Sequence, residues 1–149
     1  MAYLTREPID ISEVVGRGGF ETCPYGTGAS VLFLGIVRKY SEGKRVTYLE
    51  YEAYEEMAEQ RIQALVDSAL QSWPLEGIQI LHRLGRVDLG EIAVAIDVRS
   101  THRNEAYQAS RYLIEEIKQC VPIWKKEYFE DGTSEWSLCG SYAELSRSV

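Results

Sequence analysis

Basic residues stand at four places where the chain should pass from one secondary-structure element to the next, and together they could bind and activate an anion. Arg38-Lys39 follow an apolar run, His102-Arg103 lie at a strand-to-helix turn, Lys118 falls in the last turn of a helical stretch, and Lys125-Lys126 come just after Pro122. The start of a helix exposes backbone N–H groups and the positive end of its dipole. His102 and Arg103 are unfavourable there unless an anionic ligand, or a carboxylate such as Glu105, compensates. Lys118 has two readings. It complements the carbonyl end of its helix dipole, or, next to buried Ile117, it is a partly desolvated amine usable as nucleophile or base. In an extended segment Lys125 and Lys126 point to opposite faces, so at most one enters a given pocket. Arg38 and Lys39 have an ordinary alternative as solvated hairpin residues.

The remaining chemistry is sparse. The two histidines, His82 and His102, have no His or Cys at metal-ligand spacing, and Cys23, Cys120 and Cys139 are odd in number and far apart. Neither a metal nor a cofactor is expected, and the thiols read as reduced. His82-Arg83 reads as a strand end and stays outside the candidate site. No Ser/His/Asp array, P-loop or deaminase signature occurs. The stretch from Gly16 to Gly28 reads as a mobile loop. A phosphate loop should run from a strand into a helix, whereas here a strand-like run follows.

A formal net charge of −7 argues against sequence-independent nucleic-acid binding, so an anionic ligand must meet a local cationic pocket. No run approaches the roughly 18 apolar residues of a membrane helix, and the start lacks an apolar signal core. A soluble, cytoplasmic protein is expected, with no membrane partner.

The elements that must position these groups follow from periodicity. At 149 residues and 45% hydrophobic content, one domain spanning 1–149 is expected, with an uninformative tail over 140–149. Ala29 to Val37 reads as a buried strand, and Val46 to Tyr51 as its antiparallel hairpin partner, with basic residues at the tip. Ala58, Ile62, Leu65, Val66, Ala69 and Trp73 recur at helical spacing until Pro74. Strands follow at Ile78 to Arg83 and Ile92 to Val98, the latter apolar on both faces and therefore central. A second helix runs from about Asn104 to Cys120, with Ser100 or Thr101 as candidate N-cap. Ile123 to Phe129, Asp131-Gly132 and a return through Trp136 form a hairpin. The result is an α+β domain with largely antiparallel sheet.

The ordered set of segments resembles the molybdopterin synthase large-subunit family, often called MoaE. The matching pieces are Phe33-Leu34-Gly35-Ile36-Val37-Arg38, Leu49-Glu50-Tyr51-Glu52-Ala53-Tyr54 with Met57-Ala58, and Ile80-Leu81-His82-Arg83-Leu84-Gly85. Gly90-Glu91, Val98-Arg99-Ser100-Thr101-His102-Arg103, and Lys118 with Pro122-Ile123-Trp124-Lys125-Lys126-Glu127 continue the series. The resemblance implies an α/β-hammerhead fold with an additional antiparallel sheet and two main helices. It also implies a homodimer within a heterotetramer, flanked by small ubiquitin-like sulfur-carrier subunits whose thiocarboxylated Gly-Gly tails reach the pocket.

The substrate it implies is cyclic pyranopterin monophosphate, also called precursor Z, converted by sulfurtransferase chemistry to the dithiolene of molybdopterin for molybdenum cofactor biosynthesis. Ile36, Val37, Arg38, His102, Arg103, Lys118, Lys125, Lys126 and Glu127 match the family's substrate-binding segments, and Lys118 and Lys125 its catalytic lysines. The sequence departs from some family members in having no basic residue in Ser137-Leu138-Cys139-Gly140 and in a longer loop over 16–28. Two other functions fit the same cations: a non-enzymatic module holding a phosphorylated metabolite, or a scaffold docking a ubiquitin-like partner.

Overall fold

The apolar periodicities resolve into nine strands and three helices in a computed structural model that describes residues 2–16 and 26–138. In chain order these are β1 (Leu4–Thr5), α1 (Ile11–Gly16), β2 (Ala29–Ile36), β3 (Tyr40–Ser41), β4 (Lys44–Ala53) and α2 (Glu55–Ser72). They continue as β5 (Leu75–Arg83), β6 (Gly85–Asp88), β7 (Ile92–Ser100), α3 (Arg103–Cys120), β8 (Ile123–Phe129) and β9 (Ser134–Leu138). The expected loop over 16–28 lies outside the described residues except for its ends, and the 140–149 tail lies wholly outside them.

Two sheets share the work. The first has the order β1-β5-β7-β2, antiparallel except for β1 against β5. Its centre is β7, as its two apolar faces predict, and residues 93–100 are all buried. One face of this sheet carries Ile80, Val94, Ile96 and Val98 into a core completed by α2 and α3. Both helices bury alanines there, Ala58 and Ala69 on α2 and Ala106 and Ala109 on α3. Leu113, fully buried on α3, contributes about 2 kcal/mol through apolar burial alone. The other face holds a buried ion pair, Arg99 Nε to Asp97 at 3.1 Å, with Ser30 Oγ donating to the same carboxylate at 2.6 Å. Arg99 also donates to the carbonyl of Val15 and so ties α1 across this face.

The second sheet runs β3-β4-β8-β9, with β6 also paired to β4. Its core is separate and smaller, built from Val37, Val46, Leu49, Val87, Ala93 and Phe129. Two sheets, with two 18-residue helices against the first, match the expected α+β architecture.

Several local expectations are corrected. The strand from Ala29 pairs with β7 rather than with the strand holding Val46 to Tyr51, and it is a half-buried edge strand. The tight hairpin is β3–β4, whose two-residue turn places Glu42 and Gly43 at φ of 49° and 81°. A turn with both central residues at positive φ matches the twist of the flanking strands. The chain therefore changes sheets at Val37 to Lys39. The N-cap of α3 is His102, not Ser100 or Thr101: the backbone is still extended at His102, the helix starts at Arg103, and the Ser100 hydroxyl donates to the His102 carbonyl. β1, α1, β3 and β6 had no sequence signal strong enough to predict them.

Candidate active site

A cavity of about 450 Å³ opens where the two sheets meet the C-terminal end of α3. Strand register explains which side chains reach it. Across the first sheet, Gly35 of β2 and His82 of β5 both pair with Val94 of β7, so one transverse row faces the cavity. Gly35 is needed there, since a Cβ at that position would lie 2.6 Å from Val94 Cγ1. Across the second sheet, Lys125 of β8 pairs with Tyr51 of β4 on one side and Ser137 of β9 on the other, giving a second row on the cavity. Glu127, two residues along β8, lies on the same face and is buried.

The segment after β2 supplies the third wall. Val37 is buried, its N–H donating to the Glu91 carbonyl at 3.0 Å and its carbonyl accepting from Gly90 at 2.9 Å. The Lys39 carbonyl accepts from Val46 at 2.7 Å. Pinned on both sides, Arg38 stands at the cavity beside exposed Ile36. The fourth wall is α3, where Ile114, Ile117 and Lys118 line the cavity at helical spacing of three and four residues.

The lining carries three cations, Arg38, Lys118 and Lys125, against the single carboxylate Glu127, a formal charge of +2 in a chain of −7. Among the described residues none of the three cations is in an ion pair. A preformed pocket of unpaired cations, walled by apolar side chains, attracts an anion and strengthens its interaction by excluding water.

Sequence reasoning left out His82, which the structure places in the cavity row. Its Nδ1 lies 2.7 Å from the Arg83 carbonyl, so Nδ1 carries the proton and donates. The Tyr51 ring meets it edge to face, with centroids 5.0 Å apart. Burial pushes its pKa down to about 4, the contact with the Arg83 carbonyl opposes this, and the charge of Lys118 adds to it. His82 is therefore a neutral imidazole at neutral pH. Nothing local in the sequence marks it: the register that sets it opposite Val94 puts it on the cavity side of β5.

Other residues expected at the site lie elsewhere. Lys126 lies on the outer face of β8, its ammonium 5.1 Å and 5.3 Å from the ring centroids of Tyr128 and Trp136. His102 and Arg103 are exposed at the N-terminal end of α3 and do not line the cavity. From Arg103 to Lys118 the helix climbs about 22 Å at 1.5 Å per residue. Neither is in an ion pair among the described residues, and Glu105 keeps a buried oxygen without a partner. No group of His, Cys, Asp or Glu among the described residues could hold a metal, and no helix there is long and apolar enough to cross a membrane.

Comparison with known proteins gives concordant matches. A family model described as "MoaE protein" matches residues 4–120. A relative from Halalkalibacterium halodurans, named molybdopterin synthase catalytic subunit, is 43% identical over 129 residues, covering 87% of this chain and 80% of its own length. One of the same name from Bacillus subtilis is 43% identical over 133 residues, covering 89% of this chain and 82% of its own. The crystal structure of molybdopterin synthase from Staphylococcus aureus superposes with a TM-score of 0.82 at 41% identity, over 91% of this chain and 96% of that one. A complex of subunits 1 and 2 of molybdopterin-converting factor from Helicobacter pylori shares the fold, with a TM-score of 0.74 at 22% identity, over 91% of this chain and 89% of that one.

Proposed function

The chain belongs to the MoaE family, and on that premise we propose that it is the catalytic subunit of a cytoplasmic molybdopterin synthase. In this reading it is a sulfurtransferase. It takes sulfur from the thiocarboxylated C-terminus of a small ubiquitin-like carrier subunit and places it on cyclic pyranopterin monophosphate, building the dithiolene of molybdopterin. The whole chain acts as one domain, in a homodimer flanked by two carriers.

The observation that carries this reading is the cavity with three unpaired cations. A cyclic phosphate and a thiocarboxylate repel each other in water. Arg38, Lys118 and Lys125 offset that repulsion with charge-assisted hydrogen bonds and hold both reactants in one low-dielectric space. Holding them side by side removes much of the entropic cost of their encounter. Lys118, on the last turn of α3, handles the proton or the developing charge at the acyl carbon, and Lys125 holds the phosphate or the carrier tail. Ile36 and Val37 shape the wall beside Arg38, and Glu127 orients Lys125, two residues away on the same face of β8. Lys126, on the outer face, stays away from the reacting atoms.

His102 and Arg103 serve this chemistry only from a second protomer, since within one chain they lie at the far end of α3. A homodimer that brings this helix start over its partner's cavity adds a guanidinium and an imidazole to the site.

The test is mass spectrometry of a reaction containing the protein, thiocarboxylated carrier and cyclic pyranopterin monophosphate. The expected result is a dithiolene pterin with stoichiometric loss of sulfur from the carrier. Lys118→Ala should give no product while melting normally and still binding carrier. Absence of product with the unaltered chain overturns the function, and full turnover by Lys118→Ala overturns the role of that lysine.

A further inference from the structure

His82 is buried to 8% exposure, lines the cavity, and spends its Nδ1 proton on the Arg83 carbonyl. Its free nitrogen, Nε2, therefore carries a lone pair and has no hydrogen-bond partner among the described residues. Lys118 lines the same cavity, and among the described residues no carboxylate pairs with it. We propose that His82 is a positioning residue for the transfer step, accepting at Nε2 one hydrogen bond from the Lys118 ammonium once the reactants are seated. This inference rests on the reading of Lys118 as the group that carries the transfer.

The physical reason is the difference between a neutral and a charged acceptor. Glu127 could also hold the ammonium, but a carboxylate would cancel the charge that two anionic reactants need. A neutral imidazole fixes the direction of one N–H and leaves the charge and two donors for the ligands. The surroundings keep the ring neutral: it is taken out of water, and a cation shares its cavity. Its orientation is fixed from two sides, by the Arg83 carbonyl at 2.7 Å and by the edge contact with Tyr51. The Arg83 side chain is anchored in turn, donating to Glu91 at 3.3 Å and to the Arg86 carbonyl at 2.9 Å.

Two substitutions separate the nitrogens. Asparagine at this position reproduces the donor to Arg83 and lacks the distal acceptor, whereas glutamine extends an amide oxygen to the place of Nε2. In the complete synthase reaction, His82→Asn should lower kcat by about tenfold or more with KM for carrier and pterin little changed, the signature of lost positioning. His82→Gln should recover most of that loss. Wild-type kcat in His82→Asn, or a His82→Gln no better than His82→Asn at equal melting temperature, overturns the proposal.

A second measurement does not depend on turnover. Nitrogen-15 spectra of the histidine-labelled protein, with unthiolated carrier and the pterin bound, should show His82 as the Nδ1–H tautomer, with its Nε2 resonance moving when Lys118 is replaced by methionine. The opposite tautomer, or an Nε2 signal indifferent to Lys118, overturns it. A wild-type protein inactive in the same assay but with the expected spectra would sink the functional reading and leave this geometry standing.

Discussion

Tyr51 and His82 meet edge to face across the seam between the two sheets, their ring planes 80° apart. Tyr51 stands in the row that carries Lys125, and His82 in the row that carries Gly35. The contact therefore joins the two halves of the cavity wall, and the buried histidine has consequences for stability.

Unfolding returns the His82 imidazole from about 4 to the ordinary 6.5. Below 6.5 the unfolded chain takes up a proton that the folded chain refuses. The contribution of this group to stability is therefore complete above pH 6.5 and declines as pH falls toward 4, by on the order of 3 kcal/mol in total. Urea unfolding at pH 7 and pH 4.5 should show a smaller loss for His82→Asn than for the unaltered chain. Equal losses in the two proteins would mean that the acid sensitivity arises elsewhere.

Neighbouring lysines on β8 should behave differently because alternate residues of a strand face opposite ways. Lys125→Ala removes a cation from the cavity and should cut kcat/KM by about a hundredfold or more. Lys126→Ala removes only a contact with the rings of Tyr128 and Trp136, and should leave turnover within about threefold of the unaltered chain. Steady-state kinetics of the two variants decides this, and comparable losses would show that the outer face takes part in the reaction.

The proposed sharing of each cavity between two protomers predicts complementation. A Lys118→Ala chain and a His102→Ala, Arg103→Ala chain should each be inactive alone. A mixed dimer of the two has one intact cavity and should recover about half of the normal activity per dimer. Purified heterodimers carrying two different affinity tags provide the measurement, and failure to recover activity would confine each site to one chain.

Gly28 sits where the chain passes the start of α3, its N–H donating to the Ser100 carbonyl at 3.0 Å. A Cβ there would lie 2.2 Å from the Thr101 carbonyl oxygen, which is backbone and cannot swing away. Gly28→Ala should therefore destabilise the fold by about 1–3 kcal/mol through overpacking. Thermal melting checks the value, and an unchanged midpoint would show that the turn adapts at no cost.

Local chemistry made much of this protein legible in its residues. The helical spacing of α2 and α3, their stops at Pro74 and Pro122, the doubly apolar β7 and the β8–β9 hairpin all follow from patterns within a few residues of each other. The alternation of Lys125 and Lys126 was likewise a local fact. The family resemblance pointed to Arg38, Lys118, Lys125 and Glu127, which the fold gathers into one cavity.

Pairing across distance was not legible. That β2 joins β7 rather than β4 depends on the crossing at Val37, where backbone bonds to Glu91 and Gly90 bind segments more than fifty residues apart. Only that register puts His82 opposite Val94 and into the cavity. The same tertiary geometry separates His102 and Arg103 from Lys118 by the length of a helix that the sequence had already drawn. Secondary structure answers to short-range periodicity, whereas a site answers to which strands choose each other. That choice is made by burying two apolar cores at once, a collective property that no single stretch of chain encodes.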